Sequence, residues 1–169
     1  MKSLQNIGSS LKTAVLLAMT CLLCLANVAS ASDWNLRDKD GAKYTLSALH
    51  GKWVLVNFWA PWCPECIEEI PGFNALHRQR KDLQVIGIAV MYDNRKQVLD
   101  KVASHSIAFP TVFGNEDTAA EFDGLNGVPT SFLYAPDGKL IGRHQGPLTQ
   151  QQIEQVIAQQ IDPAGLFTP

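Results

Sequence analysis

The chain has 169 residues, of which 46% are hydrophobic and 18% are charged, and its formal net charge is −2. This composition is too apolar for a disordered chain and too polar for a membrane protein with several spans, and the charge leaves no basic footprint for nucleic acid. The length suits one domain once a processed segment is removed. We therefore expect one folded domain that acts as a monomer and has no nucleic-acid partner.

The N-terminal segment, residues 1–31, has the pattern of a secretory signal peptide. A basic start is followed by a short apolar run and by an A-x-A sequence that ends at Ala31. We predict cleavage after Ala31, which leaves an exported domain at residues 32–161 and a flexible tail at 162–169. The alternative is an uncleaved anchor in the inner membrane, because residues 13–31 carry no charge and are just long enough to span a bilayer. Either outcome places the domain in the periplasm or another space of the cell envelope.

The pattern of the exported domain predicts alternating strands and helices. It begins with a hairpin, whose strands at residues 34–37 and 43–45 flank the turn sequence DKDG. Two almost continuously apolar strands, at 53–59 and 83–90, are separated by a predicted helix over residues 61–80. A strand, a helix and a strand in this order imply a right-handed crossover and a parallel pair.

The second half of the domain predicts further helices and a second hairpin. Its strands, at 131–134 and 139–144, flank the turn sequence APDG. Three pairs of polar residues predict helix starts: Asn94 with Gln97, Thr118 with Glu121, and Thr149 with Gln152. The predicted fold class is α/β, with three layers: a mixed sheet and helices on both of its faces.

The sharpest chemical signal is the sequence WAPWCPEC, which places Cys63 and Cys66 where a buried strand ends and a helix begins. Free N–H groups and the dipole of the helix N-terminus stabilise an anion, which favours Cys63 as the attacking thiolate. Cys66 lies one turn further on, and this spacing allows Cα atoms about 5.5 Å apart, as a disulfide needs. Cys63 would form a mixed disulfide with a substrate, and Cys66 would resolve it.

Two structural interpretations of the cysteine pair are weaker. A structural zinc site needs four ligands, but the exported domain has no second cysteine pair and its histidines are scattered. A structural disulfide that closes such a short loop would gain little stability for its strain. The pattern therefore favours a redox-active disulfide without a metal or other cofactor.

The segment VLVNFWAPWCPEC resembles the active-site region of the thioredoxin superfamily, and the resemblance covers roughly residues 34–160. Pro71 lies where thioredoxins kink their active-site helix, and Val128-Pro129 lies where the family carries a cis-proline that faces the disulfide. The resemblance implies a thioredoxin fold with an N-terminal hairpin and a central helical insertion at residues 94–121.

Within the superfamily, the chain is most similar to the TlpA-like thioredoxins of the bacterial envelope, a group that includes cytochrome c maturation proteins. Like them, it has Asn57 where thioredoxins carry a buried Asp, and Glu69 three residues after the second cysteine. Residues 143–149 also resemble the cytochrome c maturation members. Those members usually carry Pro-Glu where this chain has Pro129-Thr130.

The resemblance implies a set of site residues. Cys63, Cys66, Glu69 and Pro129 would act in catalysis, and Trp62, Pro64, Val128 and Thr130 would contact the substrate. Glu69 would be a partly buried proton relay for Cys66 with a raised pKa, or else simply an acid well placed in an early helix turn. Glu65 would oppose the Cys63 thiolate by its charge, which favours a reducing protein.

The predicted function is reduction of disulfides in exported proteins, with electrons from an inner-membrane thiol donor, as part of cell redox homeostasis. A disulfide-donating oxidase is one alternative, because redox potentials within this fold run from about −270 to −120 mV. A thiol-dependent peroxidase is another alternative, although it would need a Thr three residues before its reactive cysteine, where this chain has Ala60. A metal carrier or a non-catalytic binding module is the third.

Overall fold

The structure is a computed structural model that describes residues 33–122, 124–159 and 165–168. The predicted signal peptide or anchor at residues 1–31 lies outside the described residues. In the part of the chain that is described, no helix has the length and apolar character needed to cross a membrane.

The elements follow the predicted alternation of strands and helices. In chain order they are β1 (Asn35–Arg37), β2 (Lys43–Thr45), β3 (Trp53–Trp59), α1 (Pro64–Gln79), β4 (Leu83–Ala89), α2 (Arg95–Ser104), β5 (Thr111–Phe113), α3 (Glu116–Ala120), β6 (Thr130–Tyr134), β7 (Leu140–Gln145) and α4 (Gln150–Gln159). A single 3-10 turn at Ser47–Leu49 follows β2. Pro71 lies inside α1, as predicted.

The strands form two sheets. β1 and β2 pair antiparallel as the predicted hairpin, and the other five strands form a sheet in the order β5-β4-β3-β6-β7. β4 runs parallel to both β3 and β5, whereas β6 is antiparallel to both β3 and β7. This mixed sheet and the parallel β3–β4 pair confirm the predicted fold class.

The central strand β3 is buried along its whole length because both faces of the sheet are covered. On one face, buried side chains of α1 and α4 such as Phe73 and Ile153 pack in one apolar cluster. On the other face, Trp34 of the hairpin segment packs in a second cluster and stacks on Phe122, with ring centroids 5.8 Å apart. Burial of each such side chain contributes about 1.5–3 kcal/mol.

Two helix starts differ from the prediction. α1 begins at Pro64 rather than at residue 61, because Cys63 is its N-cap and proline suits the first helical position, where no N–H partner is needed. α3 begins three residues earlier than the predicted cap at Thr118 implied. Asn115 is the N-cap and forms a capping box with Thr118, so the predicted pairing of Thr118 with Glu121 is wrong.

The other two predicted caps are present. The Asn94 side chain accepts the Gln97 N–H at 3.2 Å, at the start of α2. Before α4, the Thr149 hydroxyl accepts the Gln152 N–H at 3.3 Å, and Gln152 Oε1 accepts the Thr149 N–H at 2.9 Å. These local signals therefore predicted their helices correctly.

Part of the stretch predicted to be a flexible tail is instead held on the sheet. Thr168 and Arg143 of β7 exchange two backbone hydrogen bonds of 2.6 and 2.7 Å, and Phe167 is buried in the core on the α1 face. Gly142 allows this approach, because a Cβ there would lie 2.7 Å from the Thr168 carbonyl oxygen. Residues 166–168 thus cover the outer edge of β7, which corrects the expectation of a loose tail at these positions.

Candidate active site

Cys63 and Cys66 form a disulfide where β3 leads into α1. Their Cα atoms are 5.3 Å apart. Cys63 is the N-cap residue, and its Sγ accepts a hydrogen bond from the Cys66 backbone N–H at 3.2 Å. After reduction, the N–H groups of this first turn would stabilise a thiolate on Cys63.

The backbone around the cysteines fixes this placement. The Cys63 N–H donates to the Ala60 carbonyl at 3.1 Å, which closes a turn directly after β3. The first helical bond then runs from the Ile67 N–H to the Cys63 carbonyl at 3.3 Å. In the disulfide form Cys63 is 4% exposed and Cys66 is 2% exposed, so the two side chains are almost equally buried.

The segment before β6 faces the disulfide. The Val128–Pro129 peptide bond is cis, as predicted, and the Val128 carbonyl oxygen lies 3.9 Å from Cys63 Sγ. The Pro129 carbonyl accepts the Gly146 N–H at 2.9 Å. The end of β7 therefore holds the proline segment against the cysteine pair.

Glu69 lies one helical turn after Cys66 and is buried, with 4% of its surface exposed. Its Oε1 accepts the Leu148 N–H at 2.7 Å, and its Oε2 accepts a hydrogen bond from Asn57 Nδ2 at 3.3 Å. Asn57 Nδ2 also donates to Ser131 Oγ at 3.1 Å. The structure thus joins Asn57, Glu69 and the segment after β7 in one buried polar network.

Burial decides the ionisation of Glu69. Loss of hydration raises the pKa of Glu69 to about 8, although the hydrogen bonds from Leu148 and Asn57 act in the opposite direction. A carboxyl group with a pKa near the working pH is well suited to give and take a proton. Glu65, by contrast, is exposed, so water screens its effect on a Cys63 thiolate.

The four residues expected to contact the substrate differ in exposure. Trp62 and Pro64 are exposed, and Val128 is half-buried. Thr130 is 2% exposed, and its hydroxyl donates to the Gly127 carbonyl at 2.8 Å. Its side chain therefore supports the turn before β6 and does not form part of the surface, which differs from the expected substrate contact.

One neighbour of the site was not predicted. The Trp62 indole N–H donates to the Met91 carbonyl at 2.7 Å, and Met91 has a left-handed backbone with φ 53°. Met91 directly follows the second apolar strand in the sequence, but no local pattern links it to Trp62.

Comparison with known proteins assigns the chain to a family. Residues 29–143 match the AhpC/TSA family. The chain belongs to the AhpC/TSA family. Within this family, the thiol-disulfide oxidoreductase ResA of Bacillus thuringiensis subsp. konkukian is 32% identical over 128 residues, which cover 75% of this chain and 74% of that protein. ResA of Bacillus subtilis is 27% identical over 157 residues, which cover 85% and 88% of the two chains.

A solved structure agrees with this family assignment. A thiol:disulfide interchange protein of the thioredoxin family from Chlorobium tepidum is 26% identical, with a TM-score of 0.70, and covers 79% of this chain and 97% of its own. These relatives confirm the predicted thioredoxin fold and the predicted class of activity of this chain. The chain is a thiol–disulfide oxidoreductase.

Proposed function

We propose that the chain reduces disulfide bonds of exported proteins, with Cys63 as the attacking residue and Cys66 as the resolving residue. The observation that carries this proposal is the position of Cys63 at the N-cap of α1, where its Sγ accepts the Cys66 N–H at 3.2 Å. The resemblance to the TlpA-like thioredoxins supports the reducing direction, and the exposed carboxylate of Glu65 adds only a weak effect because water screens it. Negative charge near a thiolate makes the reduced form less stable, and a protein with a less stable dithiol is a stronger reductant.

The reaction consists of two exchanges. The Cys63 thiolate attacks one sulfur of the substrate disulfide, which forms a mixed disulfide and releases the first substrate thiolate. Cys66 then loses its proton, and its sulfur attacks Cys63 Sγ. The Cys63–Cys66 disulfide forms and the second substrate thiolate leaves. Two electrons thus pass from the protein to the substrate, whose two thiolates take up two protons from water, while the proton of Cys66 leaves the protein. Glu69 is the group we assign to relay the Cys66 proton.

The sequence supports a proposal for the location and the partners. The signal pattern of residues 1–31 supports export, with the folded domain free in the periplasm or held at the inner membrane. There the disulfide formed in each cycle would be reduced again by a thiol donor in the inner membrane. We propose that the domain acts as a monomer. A role in cytochrome c maturation, which the resemblance of residues 143–149 suggests, stays a prediction.

Activity on disulfides should exceed activity on peroxides. A peroxidase of the peroxiredoxin type would need a Thr three residues before Cys63, where this chain has Ala60, whose side chain cannot donate a hydrogen bond to a peroxide. With dithiothreitol as the electron source, we expect catalytic reduction of insulin disulfides and no consumption of hydrogen peroxide beyond that of a Cys63→Ser control. Peroxide consumption that depends on Cys63 and outpaces insulin reduction would contradict the proposal.

A further inference from the structure

Large apolar side chains are exposed beside the disulfide. Among the described residues, the large hydrophobic side chains with the highest exposure are those of Trp62 at 62%, Met91 at 54% and Leu99 at 44%. Trp62 precedes Cys63, and its indole N–H holds the Met91 carbonyl at 2.7 Å. Trp62 and Met91 therefore form one exposed apolar surface next to the cysteine that attacks the substrate.

The backbone of Met91 adopts a conformation that its side chain does not favour. Its φ of 53° lies in the left-handed region, which non-glycine residues seldom occupy. The hydrogen bond from Trp62 fixes this conformation at the end of β4. Such strained positions cluster where proteins bind or react with other molecules.

Met91 also lines a cavity of about 630 Å³ that opens at the carboxyl ends of the parallel strands β4 and β5. Its lining is largely apolar and includes Met91, Tyr92, Ala119, Ala120 and Leu125. This volume falls in the range of binding clefts. We call this space the Met91 cavity.

The walls of the Met91 cavity are held in place. Gly114 donates its N–H to the Ala89 carbonyl at 2.8 Å, and a Cβ at Gly114 would lie 2.5 Å from Ile88 Cγ2, so only glycine fits this crossing. The Tyr92 ring packs against Phe113, with centroids 6.1 Å apart. The cavity is therefore formed before a substrate arrives.

Two links connect the lining of the Met91 cavity to the residues around the disulfide. On one side, Met91 is bonded to Trp62, which adjoins Cys63. On the other side, Leu125 of the lining leads within three residues to Val128, whose carbonyl oxygen lies 3.9 Å from Cys63 Sγ. The cavity therefore lies where a residue next to the cysteine of a bound polypeptide can reach it.

We propose that the Met91 cavity receives a large apolar side chain next to the cysteine that Cys63 attacks, and that Met91 is a specificity-determining residue. The inference rests on the proposed function, because it names the substrates as polypeptides with an apolar residue beside the disulfide. An apolar side chain gains from leaving water for this lining, and the flexible thioether of Met91 adapts to different shapes. Glu116 at the lining disfavours an acidic side chain there.

The test compares two short peptides, each closed by one disulfide, that are identical except for Phe or Ser directly before each cysteine. The rate constant for reduction by the pre-reduced full-length protein is measured in a single turnover. We expect the Phe peptide to react about 10-fold faster than the Ser peptide. Met91→Gln should reduce this ratio to below about 3, because it keeps the backbone carbonyl that Trp62 binds but makes the rim polar. Met91→Leu should restore the ratio.

Leu99→Gln is the matched control, since it makes the same kind of change at an exposed apolar residue that does not line the Met91 cavity. Equal rates for the two peptides, or a ratio that Met91→Gln leaves unchanged, would overturn the inference. The inference would also be overturned if Met91→Gln changed the sedimentation of the protein but left the ratio of the two peptide rates unchanged. A second copy of the chain would then occupy the cavity.

Failure of the proposed function has a separate signature. If the pre-reduced protein leaves both peptides oxidised while its disulfide form oxidises the peptide dithiols, the reducing direction is wrong. The inference about the cavity is then tested by the ratio of the rates at which the disulfide form oxidises the Phe and Ser peptides. Absence of exchange in either direction would contradict both.

Discussion

A Cys66→Ser protein incubated with a disulfide-bonded exported protein is expected to remain linked to it through Cys63. The first exchange needs only the Cys63 sulfur, whereas release of the substrate needs the second sulfur. Cys63→Ser should form no adduct, and its rate of disulfide exchange should fall by at least about 1000-fold, because the attacking group is lost. Mass spectrometry under non-reducing conditions would identify the adduct and the cysteine that carries it.

The two variants also test the assignment of roles. Serine is a favoured N-cap residue, so Cys63→Ser should keep the start of α1 while removing the sulfur. Loss of activity in this variant would then reflect chemistry and not loss of the fold. An adduct on Cys66 of the Cys63→Ser protein, formed as fast as that on Cys63 of the other variant, would show that the roles are reversed.

Glu69→Gln is expected to slow the resolving step by about 100-fold near neutral pH. Gln keeps the size of the side chain and an oxygen that can accept the Leu148 N–H, but it cannot take the proton of Cys66. In the wild-type protein the resolving rate should rise as the pH passes the Glu69 pKa of about 8, since the ionised carboxylate is the form that accepts a proton. The variant should lack this inflection in stopped-flow measurements on a preformed mixed disulfide.

The same substitution should change how stability depends on pH. The Glu69 pKa is raised from 4.5 to about 8 in the fold, so the folded protein holds this proton where the unfolded chain has lost it. Between these two values the free energy of unfolding should fall as the pH rises, by on the order of 5 kcal/mol. The difference in unfolding free energy between wild type and Glu69→Gln, measured in urea, should follow this trend.

Glu68→Gln is the control for both Glu69 experiments, because Glu68 is an exposed carboxylate on the same helix. It should leave the resolving rate and the pH dependence of stability near their wild-type values. If Glu69→Gln leaves the resolving rate unchanged but abolishes the stability trend, Glu69 is a buried structural acid and not a relay.

The sequence was informative wherever structure depends on neighbouring residues. The apolar run of β3 predicted a buried central strand. The prolines and cysteines after it predicted a reactive cysteine pair at the start of a helix. The helix caps at Asn94 and Thr149 were also predicted, because a capping side chain bonds within three residues of itself. At α3 the same reasoning was wrong: it placed the cap at Thr118, whereas Asn115, three residues earlier, is the N-cap.

The remaining features depend on contacts between distant parts of the chain. The Leu148 N–H that bonds Glu69 is 79 residues away in sequence, and the Met91 carbonyl that bonds Trp62 is 29 residues away. Only the strand order of the sheet brings these groups together. Likewise, nothing local in the last residues indicates that Phe167 fills a space in the core beside β7.

The central claim is that Cys63 and Cys66 form a reducing dithiol. The most direct test is the equilibrium redox potential of the purified protein in graded dithiothreitol or glutathione buffers, with Cys63→Ser as the control that should not titrate. The account predicts a reversible two-electron transition near or below about −250 mV. A transition near about −120 mV would make the protein a disulfide donor and contradict the account.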